Sequence, residues 1–159
     1  MSLSDRIAVI YKGDIQQCGS PYDIYTNPAN IFVGGFIGIP PMNFLKATVV
    51  GASPFRIEVN GLALSPQVEK PPSGTDVMVG VRPEDVIIAH EKMENSFEVT
   101  VRIIEPAGSY NWIDVAWKNA SVKGKASVSE NLRAGDIAFM KISSGKLFVF
   151  DAESEERLF

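Results

Sequence analysis

Cysteine and histidine are nearly missing from this 159-residue chain, which has one of each, Cys18 and His90. One cysteine makes no internal disulfide, and one of each makes no Cys/His zinc site. Both counts fit a reducing cytoplasm. Basic charge is also in deficit: 15 Lys and Arg stand against 19 Asp and Glu, a formal net charge of −4, so no electropositive footprint invites a phosphate backbone. Nucleic acid is not an expected partner. No apolar run is long enough for a membrane helix. Met1-Ser2-Leu3 lacks the charged, apolar and cleavage regions of a signal peptide and reads as an appended start.

Catalytic machinery is missing too. A nucleotide-hydrolysing site needs a glycine-rich loop for the phosphates, then a lysine and a hydroxyl. The two Gly-Lys pairs, Gly124-Lys125 and Gly145-Lys146, are followed by Ala126 and Leu147, and Asn119 and Met140 stand where the first glycine belongs. Gly34-Gly35 and Gly38 do not form a dinucleotide fingerprint. No Ser or Cys nucleophile has an evident base, and no carboxylate pair shows acid/base spacing. His90, beside Glu91 at a strand end, reads as an exposed histidine. The chain is expected not to be an enzyme, with no cofactor and no metal of its own.

What is present begins with a short α/β stretch. Ile7, Val9 and Tyr11 alternate before Lys12-Gly13-Asp14, and Ile15-Gln16-Gln17-Cys18 follows, which predicts a hairpin around a glycine turn. Ser20-Pro21-Tyr22-Asp23 places a hydroxyl at an N-cap, proline at the first helical position and a carboxylate three residues after the cap. Asn27-Pro28 repeats the start signal, with Ile31, Phe32, Gly35 and Phe36 on one face of a second helix that Gly38 and Pro40-Pro41 end.

Beyond Asn43, short alternating runs take over. Strands are predicted at Leu45–Val50, Phe55–Val59, Leu62–Leu64, Val77–Val81, Val86–Ala89, Phe97–Glu105, Trp112–Trp117, Ser121–Ser127, Ile137–Ile142 and Lys146–Phe150. Asn60-Gly61 suits a type I′ hairpin, because both central residues need positive φ. Ser65–Gly74 reads as a surface loop. A faint echo pairs Leu45–Gly51 and a later Gly74-Thr75-Asp76 with Val99–Glu105 and a later Gly135-Asp136. Either two related β units or turn chemistry alone accounts for it. Many short strands with dense turns predict a mainly β fold, a small barrel or sandwich.

The run Asp5-Arg6-Ile7-Ala8-Val9, Gly19-Ser20-Pro21, Asn27-Pro28-Ala29-Asn30, Phe36-Ile37-Gly38 and Pro40-Pro41-Met42-Asn43-Phe44 resembles the ATPase subunits of bacterial sugar-type (maltose or glycerol-3-phosphate-like) ABC importers. Gly80-Val81-Arg82-Pro83-Glu84-Asp85 resembles an element of that family's C-terminal region, called TOBE, an OB-like β domain. The resemblance implies that residues 4–39 end a nucleotide-binding domain and that 40–159 form the OB-like (TOBE) regulatory domain. The chain is then a C-terminal fragment whose Walker A loop, signature segment and switch histidine lie elsewhere, together with the parent's ATP and Mg. It implies a non-catalytic regulatory and dimerisation role, with a second copy, the nucleotide-binding domain, the membrane permease and regulatory proteins as partners. The location implied is cytoplasmic, peripheral on the inner face of the bacterial membrane. A small-ligand sensor for an oxyanion or sugar is the alternative, and OB-type nucleic-acid binding the weaker one.

Two groups of residues carry expectations of contact. Ile7, Val9, Ile15, Phe32 and Phe36 are expected to pack on the catalytic core, each burial worth about 1.5–3 kcal/mol. On the β side, Arg82, Glu84 and Asp85 form either a strand-to-turn clamp or a face for a partner domain. Tyr110, Trp112 and Asp114 share one face of a strand whose other face, Ile113, Val115 and Trp117, is the expected core. Tyr110 and Trp112 are the expected interface anchors or sugar-stacking pair. The family has Gly-Ser-Glu where this chain has Gly108-Ser109-Tyr110.

Overall fold

A computed structural model describes residues 4–52, 55–60, 62–64 and 76–158. The Ser65–Gly74 loop and Gly61 lie outside the described residues. The chain forms two compact units, one of Met1–Gly80 with Phe148–Phe159, the other of Val81–Leu147.

The first unit opens with the predicted hairpin, β1 (Ile7–Tyr11) and β2 (Asp14–Gly19). Its turn puts Lys12 at φ 51° and Gly13 at φ 97°, a pair of positive angles that glycine relieves. Helix α1 (Pro21–Thr26) starts as expected, with the Ser20 hydroxyl accepting from the Asp23 amide and donating to its carboxylate. Helix α2 (Ile31–Phe36) starts later than the sequence suggested. Asn27 is the C-cap of α1, and Asn30 is the N-cap of α2, accepting from the Val33 amide at 2.9 Å. The stretch between the helices is held by β2: Gln17 accepts from the Ala29 amide and donates to the Asn27 carbonyl, while Gln16 accepts from the Asn30 amide group. Val9, Ile24, Val33 and Ile37 close a small core here.

The rest of this unit is a five-stranded sheet. Its strands β3 (Asn43–Ala52), β4 (Phe55–Val59), β5 (Leu62–Leu64), β6 (Asp76–Val81) and β12 (Leu147–Asp151) stand in the order β12-β6-β3-β4-β5. Alternation buries Leu45, Ala47, Ile57, Val59, Val77, Val79 and Phe150. Asn60 has φ 51° at the β4–β5 turn. The C-terminal residues run back over α2. The Ile31 amide donates to the Glu155 carbonyl, the Arg157 amide to the Ala29 carbonyl, and the Arg157 guanidinium to the Asn27 side chain at 3.0 Å.

The second unit is a closed barrel of β7 (Val86–Ala89), β8 (Phe97–Pro106), β9 (Tyr110–Trp117), β10 (Ala120–Ser127) and β11 (Ile137–Ile142), in the order β10-β7-β11-β8-β9. Closure is a parallel pairing of β10 with β7 at Lys125 and Ile87. Every strand sends alternate residues inward: Val86 and Ile88, Val99 and Val101, Ile113, Val115 and Trp117, Val122 and Ala126, Ala138, Met140 and Ile142 are all buried. Gly124 takes the inward position between Val122 and Ala126. A Cβ there would stand 2.8 Å from the Val86 side chain and 2.9 Å from its carbonyl oxygen, so only glycine lets β10 approach β7 this closely. The mainly β, OB-like barrel with an N-terminal hairpin and short helices is therefore the architecture. The sequence did not reveal the 3-10 turns at Pro83–Asp85, Val128–Glu130 and Ser144–Lys146.

Candidate functional site

The two residue groups singled out above fall one in each unit. In the hairpin and helices, Val9 is buried in the local core at 3 % exposure, with Ile7 and Phe32 packed against it. Ile15 and Phe36 are 66 % and 65 % exposed. Tyr11, Phe32 and Phe36 form a ring ladder, with centroids 4.4 and 5.6 Å apart, whose outer end is the exposed Phe36. Two large apolar side chains, one of them the end of a ring stack, thus face solvent in the hairpin and helices.

In the barrel, Arg82 is buried at 2 % exposure while Glu84 and Asp85 sit in the 3-10 turn that leads into β7. Asp85 is tied down twice. Its carboxylate accepts from Lys146 Nζ at 2.8 Å, and its carbonyl accepts from the Ser143 amide. The hydrogen bond and the charge of Asp85 raise the Lys146 pKa above its ordinary value. Of the three, Glu84 is the one whose side chain lies at the exposed surface.

Tyr110 and Trp112 lie on the outward face of β9, each half-buried, with ring centroids 5.1 Å apart in an edge-to-face pair. Lys125 Nζ stands 4.3 Å from the centre of the Tyr110 ring, within cation–π range. Lys123, in register with Asp114, reaches Asp114 at 3.1 Å and Glu105 at 2.8 Å. Burial works against the Lys123 charge, but its hydrogen bonds to Glu105 and Asp114 outweigh this and raise its pKa. Sequence reading named the aromatics and missed this ionic cluster. The signal was there: a two-residue turn at Lys118-Asn119 fixes the β9–β10 register and so sets Lys123 opposite Asp114. Among the described residues, no group of three His, Cys, Asp or Glu side chains is placed to hold a metal ion, and no helix is long and apolar enough to cross a membrane.

One unit is a small closed barrel with an aromatic face, the other an open sheet with an apolar hairpin, and comparison with known proteins shows what the chain resembles. Residues 38–86 match the MalK OB fold domain family. The chain is 34 % identical to the sulfoquinovosyl glycerol transport ATP-binding protein SmoE of Agrobacterium fabrum, over 99 % of this chain and 45 % of that protein. It is 33 % identical to the trehalose/maltose import ATP-binding protein MalK of Thermococcus litoralis, over 100 % of this chain and 45 % of that one. The oligosaccharides import ATP-binding protein MsmX of Bacillus subtilis is 31 % identical over 99 % of this chain and 46 % of its own length. The chain is thus similar along nearly its whole length to ATP-binding subunits of sugar importers, and part of it matches the MalK OB fold domain. It spans less than half the length of these relatives. Among solved structures, the cytoplasmic molybdate-binding protein ModG superposes with a TM-score of 0.52 at 16 % identity, over 67 % of this chain and 94 % of that one, a likeness of fold alone.

Proposed function

We propose that this chain is the non-catalytic regulatory and dimerisation region of the ATP-binding subunit of a sugar ABC importer. The observation that carries the proposal is the match along the full chain to such subunits, with an OB fold domain match inside it. In this reading residues 4–39 end the nucleotide-binding domain, and 40–159 are the regulatory domain. The apolar side chains of Ile15 and Phe36 supply the contact with the catalytic core, where ATP and Mg bind. Glu84, Tyr110 and Trp112 supply the face for a second copy or a regulatory protein. The location is cytoplasmic, at the inner face of the membrane beside the permease. OB-type nucleic-acid binding is disfavoured by the chemistry of the β9–β10 face, where Lys123 is neutralised by Glu105 and Asp114.

Two measurements test the proposal. Native mass spectrometry of the chain reports subunit number, and a ligand-free dimer is the expected result; a monomer at every concentration argues against dimerisation through this region. In the full-length subunit, Glu84→Lys should alter sugar uptake or its regulation while the protein stays folded. Loss of folding alone would make the Arg82–Asp85 segment a structural clamp and nothing more.

A further inference from the structure

The polar side chains of the two units are used differently. On the barrel, Lys123, Glu105, Asp114 and Lys125 engage one another or an aromatic ring. The five-stranded sheet carries a cavity of about 640 Å³, whose lining includes Ala47 and Val77 of β3 and β6. Lys46 and Thr48 of β3, Glu58 of β4 and Asp76 of β6 converge on it, with Val50 and Met78 supplying apolar surface. Thr48 and Glu58 are direct cross-strand partners. Among the described residues, none of these four polar side chains is engaged by a hydrogen bond or ion pair.

We propose that this cavity binds a small, neutral, polyhydroxylated molecule, a sugar or polyol. Its volume lies in the range of small-molecule sites. Carboxylates, a hydroxyl and an ammonium together accept from and donate to vicinal hydroxyls, because each hydroxyl is both donor and acceptor. Val50 and Met78 fit the C–H face of such a ligand. Charge narrows the class further. Two carboxylates against one ammonium leave the lining with net charge −1, which repels an oxyanion and leaves a neutral ligand unpenalised. The inference concerns the β sheet alone and stands or falls independently of the importer assignment.

The test is a titration of the 159-residue chain, followed by amide chemical shifts, with maltose, trehalose and glycerol as neutral probes and sulfate and molybdate as anionic ones. Saturable shifts confined to residues 46–50, 58–60 and 76–78 with a neutral probe are expected. Thr48→Ala and Asp76→Asn should each weaken that binding about fivefold, the worth of one hydrogen bond. Both positions face solvent, so thermal midpoints should hold and a folding defect should not confuse the result. Preference for an oxyanion, shifts centred on Tyr110 and Trp112, unchanged affinity in both variants, or no saturable response to any neutral probe would each overturn the proposal.

Discussion

The open sheet and the closed barrel are built on the same strand order. Reading the sheet as β12-β6-β3-β4-β5 and the barrel as β7-β11-β8-β9-β10 aligns them strand for strand. The irregularities align as well. The β3–β4 ladder shifts register between Val49 and Gly51, and the β8–β9 ladder between Val101 and Ile103. A 3-10 turn precedes β12 as one precedes β7, and positive φ marks both hairpin turns, at Asn60 and at Lys118. Among the described residues, the last two strands differ in length. The strands β9 and β10 have eight residues each, whereas β4 has five and β5 three. At roughly 3.3 Å per residue the described residues of β5 span about 10 Å, against about 26 Å for β10 in the barrel. Closing a small barrel takes long, tilted strands. A glycine such as Gly124 is the second requirement, since the closing strands must approach without an intervening side chain.

The largest effect that would break the parallel comes from Phe150 in β12. It is fully buried and packs edge-on near Phe44, with centroids 5.8 Å apart. Phe150→Ala should cost about 3–5 kcal/mol in the sheet. Both tryptophans, Trp112 and Trp117, lie in the barrel, so their fluorescence reports the barrel alone. Hydrogen exchange should accelerate in β3 and β6 by more than the tryptophan midpoint falls. An equal loss in both would show that the two assemblies unfold as one.

Next in size are two glycines, one at the barrel closure and one in the open sheet for comparison. In Gly124→Ala the new methyl meets the Val86 backbone oxygen and the Ile88 side chain, at 2.9 Å each, and backbone cannot move aside. A loss of about 2–3 kcal/mol is expected, read from the tryptophan midpoint. In Gly80→Ala of β6, the nearest neighbour at 2.5 Å is the Met42 sulfur, with Phe150 Cε2 at 2.9 Å. A thioether can swing away, so the loss should be nearer to about 1 kcal/mol. Reversal of that order would mean that closure at Gly124 is loose and that the barrel owes its stability to its core alone.

Most of this architecture was legible in local patterns. Phe55–Val59, Leu62–Leu64, Val86–Ala89 and Ile137–Ile142 are strands with the bounds that alternation predicts. Ile113, Val115 and Trp117 turn inward as their spacing demands. The pairings were not legible. That β12 joins β6 across the whole barrel sequence, or that β10 meets β7 in parallel, depends on long-range contacts that no window of residues contains. Asn27 was misread for a related reason. Asn-Pro looks the same at a helix start and after a helix end, and Gln16 and Gln17 on β2 decide between them by fixing Asn27 and Asn30. On the candidate surfaces, the exposed aromatics could be found from alternation, whereas the burial of Arg82 and the Lys123 cluster required the register of neighbouring strands.

The smallest expected effect concerns acid, and it sharpens the contrast at the end of β12. Asp151 accepts from the Ser154 amide at 2.7 Å and the Glu153 amide at 3.0 Å. These backbone hydrogen bonds, the Ser154 one foremost, hold its pKa below the ordinary carboxylate value. A carboxylate with a depressed folded-state pKa contributes stability that is fully present above its unfolded value and disappears as pH falls through the folded one. The turn at Asp151 starts the segment that carries Glu155 and Arg157 back to α2. Acidification below the usual carboxylate range should therefore loosen that segment, seen as faster exchange at the Ser154, Ile31 and Arg157 amides, before the Trp117 signal changes. Asp151→Asn removes the titration, so its exchange rates should lack this acid-dependent rise. An identical rise in the variant would move the acid sensitivity to another carboxylate and leave the Asp151 turn a passive one.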